Sequence, residues 1–235
     1  MTTLVVVTST VSGHRDQDLD LSVEGHVARL SRDERRDQLA ESTVATLAEF
    51  GYAGTSLREI AQHTDFSHGV LHYYFEDKDD LILHGVRRYK AQCVTRYDGI
   101  VAAASDAATL ARDFAHTLAE TAAADGPTHR VWYDLRVQGM FVPALRDDVR
   151  AIDAELERMI WRVVARYAEL RGTSPVFGRR ATYALVDGLF ERAVLDHAAG
   201  DEHAPAGLAA RVERLLPALV GDVGAGPAGP VSPVS

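Results

Sequence analysis

Apolar residues recur every three or four positions from about residue 31 to about residue 220, and no stretch keeps the alternation of a half-buried strand. The pattern is clearest over residues 143–170, where Leu145, Val149, Ile152, Leu156, Met159, Val163, Tyr167 and Leu170 share one face of a long amphipathic helix that residues 172–175 would end. Upstream, Ser31 with Glu34 three residues later has the form of a capping box. Leu39, Thr43, Leu47 and Phe50 then predict a helix that Gly51 stops. Thr55-Ser56 and Ser67 are further N-cap signals, each followed by about two helical turns, with the turn Asp65-Phe66 between them. Beyond these the pattern predicts a long helix over 79–104 and one capped by Asp106 that ends before Gly126-Pro127. It also predicts one opened by Pro127 that breaks near Gly139, and two last helices over 178–197 and 206–220.

The fold class is therefore all-α. Two short helices joined by a tight turn after a longer first helix make a helix-turn-helix unit over 31–78, and a second helical domain fills 79–220. Residues 1–30 show no sustained period and read as a mobile N-terminal tail; the Gly- and Pro-rich residues 221–235 read as a disordered one.

Composition narrows the classes. The single Cys93 forms no internal disulfide and rules out thiolate zinc sites. No apolar run approaches the ~20 residues that span a bilayer, and the first residues lack the form of a signal peptide, so a soluble cytoplasmic protein without membrane partners is expected. A net charge of −9 argues against a broad basic field. Residues 32–90 hold 8 Lys or Arg against 11 Asp or Glu, so DNA binding would rest on local donors and on dimer avidity.

Residues 36–81, in particular FGYAGTSLREIAQHTDFSHGVLHYYFEDKDDLI, resemble the DNA-binding domain of TetR-type (TetR/AcrR) bacterial regulators. The matching positions are Gly51, Tyr52, Thr55, Ser56, Ile60, Ala61, Ser67, Gly69, Leu71, His72, Phe75 and Lys78. Two differ in kind: Asp65 stands where the family has Gly in the turn, and His72 where it has the first Tyr of Tyr-x-x-Phe. The resemblance implies that the helix after Ser67 enters the major groove, with His68, His72 and Tyr73 on its reading face and Gly69 allowing close backbone approach. Tyr52, Thr55, Tyr74 and Lys78 are the expected phosphate contacts, with the capping Ser56 and Ser67 beside them, while Leu57, Ile60, Leu71 and Phe75 are core. Taken alone, a short Ser-capped helix with an aromatic stripe is ordinary packing. A His pair four apart is occasionally a metal site, yet no third ligand stands near His68 and His72.

Residues 132–170 more loosely resemble the regulatory domain of the same family, whose middle helices enclose an effector pocket. Candidate lining residues are Tyr97, Phe114, Trp132, Tyr133, Arg136, Met140, Phe141 and Trp161. The resemblance also implies a homodimer through the last two helices, carried by Ala181, Ala184, Leu185, Gly188, Leu189, Leu208, Val212, Leu215 and Leu219. The function expected is a ligand-released repressor on a palindromic double-stranded operator, with a small-molecule effector and neither cofactor nor metal. An activator or constitutive binder is the nearer alternative. A helical enzyme using His116, His129 or Asp187 is the more distant one, since no nucleophile or acid–base pair stands out.

Overall fold

The computed structural model describes residues 31–52 and 54–221; the two tails expected at 1–30 and 222–235 lie outside the described residues. Ten helices follow in order: α1 (Arg32–Phe50), α2 (Leu57–Gln62), α3 (His68–Tyr74), α4 (Lys78–Cys93), α5 (Asp98–Ala103), α6 (Ala107–Ala124), α7 (Gly126–Phe141), α8 (Pro143–Arg171), α9 (Arg179–Ala198) and α10 (Ala204–Ala218). Among the described residues there is no strand, only an isolated bridge between Pro175 and Val220.

Local signals set most boundaries. Ser31 and Glu34 close a reciprocal capping box, with Ser31 N donating to Glu34 Oε2 at 2.7 Å and Glu34 N to Ser31 Oγ at 3.2 Å. Ser56, Ser67 and Asp106 cap α2, α3 and α6 by accepting from the backbone three residues on. Gly51 ends α1 at φ 73° and Gly172 ends α8 at φ 64°, both left-handed conformations that a side chain resists.

The single long helix expected over 79–104 is instead α4 and α5, separated by a turn at 94–97. There the backbone switches to i→i+3 bonds, from Arg96 N to Cys93 O and from Asp98 N to Thr95 O, both 3.1 Å. The cause is long-range. Arg96 turns inward to Asp125 at 2.9 Å, and Arg162 of α8 takes the freed Val94 carbonyl and Asp98. β-Branched Val94 and Thr95 give the helix little local reason to resist.

Two cores form. The smaller holds Leu39, Ala40, Leu57, Ile60, Leu71, Phe75 and Leu81; the larger spans α4 to α10 and also takes Leu47 and Tyr52. Leu57, Ile60, Leu71 and Phe75 are buried as expected, whereas Phe50 is 42% exposed and stacks on His63 at 4.4 Å. Helices α1 and α4 contribute to both cores, so the boundary expected at residue 78 falls where α4 begins and not between independent bodies.

At Gly85, α4 lies close against α1. A Cβ there would lie 2.6 Å from Val44 Cγ2 and 3.1 Å from the Ala40 carbonyl oxygen. Gly85→Ala should lower stability: overpacking costs about 1–3 kcal/mol, while the gain in helix propensity is only about 1 kcal/mol. A thermal melt reads the result, and an unchanged or higher Tm would show that α1 and α4 do not meet this closely.

Candidate functional site

Two sites stand on this frame. The first is the outer face of α3. Leu71 and Phe75 anchor the helix in the small core, which leaves His68, Gly69, His72 and Tyr73 outward, Tyr73 at 70% exposure. The rings of His68 and His72 meet edge to face at 4.5 Å. Among the described residues no three potential ligands gather as a metal site. A Cβ on Gly69 would meet nothing nearer than Ser67 Oγ at 4.0 Å, so the backbone there is open to a close-lying partner.

Three of the expected phosphate contacts have their donors committed elsewhere. Thr55 is buried and bonds the Gly51 and Tyr52 carbonyls. The Tyr52 hydroxyl donates to Asp79 at 2.8 Å. Lys78 lies over the Tyr52 ring at 4.2 Å and caps the carbonyls of Tyr52 and Thr55 at 3.2 and 3.1 Å. These residues hold the reader in shape. Ser56 and Ser67 are exposed caps, and Tyr74 is half-buried with its ring against Tyr73. Two cations counted in the sequence but not placed there lie close by, Arg32 at 5.8 Å from the Tyr73 ring and Arg35 at 5.7 Å from that of Phe66; neither forms an ion pair among the described residues.

The second site is a cavity of about 50 Å³ enclosed by α4, the 94–97 turn, α6, α7, α8 and α9, room for roughly four waters. Of the expected lining residues it contains Tyr97, Trp132 and Tyr133. Phe114 packs behind Tyr97 at 5.0 Å, and Arg136 stands outside the lining, paired to Asp187. Met140 and Phe141 do not reach it: they end α7 on the surface, 66% and 75% exposed. Trp161 faces away, into a shallow surface depression with Arg179 and Arg180.

The polar lining escaped the aromatic criterion. Lys90, His129 and Asp187 sit on otherwise apolar helical stripes (Val86, Lys90, Cys93; His129, Trp132, Tyr133; Tyr183, Val186, Asp187, Phe190), a signal legible in spacing alone. Lys90 is 4% exposed, its Nζ 3.2 Å from His129 Nδ1. Because an ammonium only donates, Nδ1 accepts, which puts the imidazole proton on Nε2 facing the Tyr89 oxygen at 3.0 Å. Tyr89 in turn donates to Asp125 at 2.9 Å. Burial, with Lys90 and Arg96 nearby, holds the His129 pKa well below the usual 6.5 and keeps the ring neutral. Across the cavity Asp187 accepts from Tyr133 at 3.1 Å and Arg136 at 2.5 Å, and Asp153 accepts from Tyr183 at 2.8 Å. His116, by contrast, is exposed on α6 and pairs with Glu120, so the three groups considered for catalysis do not converge.

Burial lowers the Lys90 pKa from 10.5 to about 8, more than Cys93, Asp187 and Asp153 restore, with Arg96 adding to the fall. Between those values the unfolded chain binds the extra proton, so this group's contribution makes stability rise with pH. Above about pH 10 the buried Tyr89, Tyr133 and Tyr183, whose pKa values are pushed up, reverse the trend. From pH 8 to 10 the wild type should therefore gain about 2–3 kcal/mol relative to Lys90→Met in denaturant titrations. Parallel pH profiles would show that Lys90 is not desolvated.

Residues 39–84 match the family described as bacterial regulatory proteins, tetR family, and residues 107–217 match the BetI-type transcriptional repressor C-terminal family. The chain is 31% identical over 173 residues to the HTH-type transcriptional regulator BetI of Burkholderia thailandensis, covering 70% of this chain and 84% of that one. Among solved structures, the FadR regulator of Bacillus subtilis in complex with stearoyl-CoA superposes with a TM-score of 0.60 at 17% identity, over 76% of this chain and 96% of that one. A regulator of Saccharomonospora viridis described as putative, in complex with choline, superposes at 0.63 and 17% identity, over 80% and 98%. The chain belongs to the TetR family of bacterial DNA-binding transcriptional regulators.

Proposed function

We propose that the protein is a homodimeric repressor that grips a palindromic operator through α3 and is released when a small molecule occupies the cavity, acting in the cytoplasm. One observation carries this reading: two of the helices that line the cavity, α4 and α7, also hold the reader. Helix α4 leaves the reader at Lys78 and brings Lys90 and Cys93 to the cavity. Helix α7 turns His129, Trp132 and Tyr133 to the cavity. From the same helix Asp134 accepts from the Tyr52 backbone N–H at 2.7 Å, and Arg130 donates to the Ala48 carbonyl at 2.9 Å. A ligand that shifts α7 would move the end of α1, and one that shifts α4 would move the end of α3 through Leu81, Leu71 and Phe75. A coupling of ~1 to 3 kcal/mol would change operator occupancy about 5- to 150-fold.

The dimer face supported best is the outer stripe of α9, where Ala181, Ala184, Leu185 and Gly188 are exposed together with Leu195, and Leu189 is half-buried. Leu208, Val212 and Leu219 are withdrawn from the interface: each is fully buried in its own protomer, in a core shared by α10 and α6, and Leu215 is half-buried there. Two copies joined through α9 would have to set their α3 helices roughly 34 to 36 Å apart to read successive major grooves. The stearoyl-CoA and choline bound by the two structural neighbours share no chemistry, so the effector has to be read from this chain's own lining.

Selection of bound sequences from a random duplex pool tests this function. The wild type should enrich a palindrome that His72→Ala and Tyr73→Ala lose without a change in Tm, since both side chains are exposed. Lys78→Met should instead lower Tm, because the Thr55 carbonyl loses the Lys78 donor and the Tyr52 carbonyl loses one of two. A folded dimer that enriches no sequence at low salt would contradict the proposal.

A further inference from the structure

The charges around the cavity are unevenly matched. Arg96 is paired with Asp125 at 2.9 Å and Arg136 with Asp187 at 2.5 Å, but Lys90 has no carboxylate within 4.0 Å, only the neutral His129. An ammonium has three donor hydrogens, and one is used. Trp132 lines the same cavity, is 1% exposed, and its indole N–H has no acceptor among the described residues. One buried donor in the cavity thus lacks an acceptor, and beside it a buried ammonium has an acceptor for one hydrogen and no countercharge; unmet buried donors are rare in folded proteins.

The acidic groups offer no matching vacancy. Asp187 is held by Tyr133 and Arg136, and Asp153 by Tyr183 with Arg136 at 3.5 Å. Nor is the aromatic surface free for a cation, because Lys90 Nζ lies 5.3 Å from the Trp132 ring centroid and 5.5 Å from that of Tyr89. A quaternary ammonium entering here would meet a like charge already over the ring it needs.

We propose that the cavity takes a small carboxylate, its head accepting from Lys90 Nζ and the Trp132 N–H and its apolar body lying among Leu118, Leu156, Met159 and Val186. This rests on the reading of the cavity as the effector site and names the effector's chemical class. The volume favours a short chain or a single ring. The carboxylate supplies the countercharge that Lys90 lacks, and the apolar residues exclude water from the pair.

The full chain is melted with butyrate, hexanoate and benzoate, with their neutral amides, and with choline, for the wild type, Lys90→Met and Trp132→Phe. At least one carboxylate should raise the wild-type Tm and its amide should do less. Lys90→Met should weaken the carboxylate's binding roughly 10- to 150-fold while remaining folded by circular dichroism, and Trp132→Phe about two- to tenfold. The inference is overturned if no carboxylate stabilises the wild type, if choline alone does, or if Lys90→Met binds the carboxylate as the wild type does. Operator release is measured separately. A carboxylate that binds through Lys90 and leaves the operator complex intact would uphold the ligand class and contradict the effector reading.

Discussion

Helix α4 is one rigid element with an end in each core, and the rest of the structure depends on that continuity. Leu81 packs with Leu71 and Phe75 beneath the reading helix, while Ile82, Leu83 and Val86 on the next turns belong to the larger core that surrounds the cavity. Smooth curvature of a helix has a radius of about 60–100 Å, so over so short a span α4 moves nearly as a rod. Movement at Lys90 is therefore transmitted to Leu81, and the near-contact of Gly85 with α1 prevents slack between them. Around this seam Arg36 binds both oxygens of Asp80 at 2.9 and 3.1 Å, and His84 meets Asp37 at 2.8 Å. These pairs are partly exposed and contribute modestly to stability. Their value lies in fixing the angle of α1 on α4.

The reader and the cavity divide the polar chemistry in opposite ways. Around α3, Lys78 and Thr55 donate within the chain, and the proposed contact with DNA falls to exposed His68, His72 and Tyr73, with Arg32 beside Tyr73. On that proposal the acidic net charge is no obstacle, since a few well-placed phosphate contacts fix the register. Inside the cavity the reverse holds. Asp187 and Asp153 are met, while Lys90 has only the neutral His129 and the Trp132 N–H has no acceptor among the described residues.

Much of this was legible in the sequence where the cause is local. Ser31, Ser56, Ser67 and Asp106 cap their helices because a short side-chain oxygen reaches a backbone N–H whatever lies elsewhere. The 3.6-residue repeat placed α8 to within a residue at each end. Periodicity says that a face is buried but not by what. The stripe of Leu208, Val212 and Leu219 was thus assigned to a partner when α6 of the same chain shares their core. The break after Cys93 depends on Arg96 reaching Asp125 and Arg162 reaching Val94, contacts 29 and 68 residues away in the chain that no local window contains. Lys78 announces a donor in sequence, but not that two of its three hydrogens are already used.

The central claim, that the helices lining the cavity also hold the reader at operator spacing, is tested most directly by the distance between the two readers of one dimer. Spin labels at Glu76→Cys, in a Cys93→Ser background, report that distance by pulsed electron resonance, with and without the Asp134→Ala change that removes the acceptor holding the Tyr52 N–H. The account predicts a single narrow distribution for the intact link and a broad or shifted one once Asp134 is gone. Identical distributions in both proteins would mean that α7 does not hold the reader and that the cavity has no route to DNA through it.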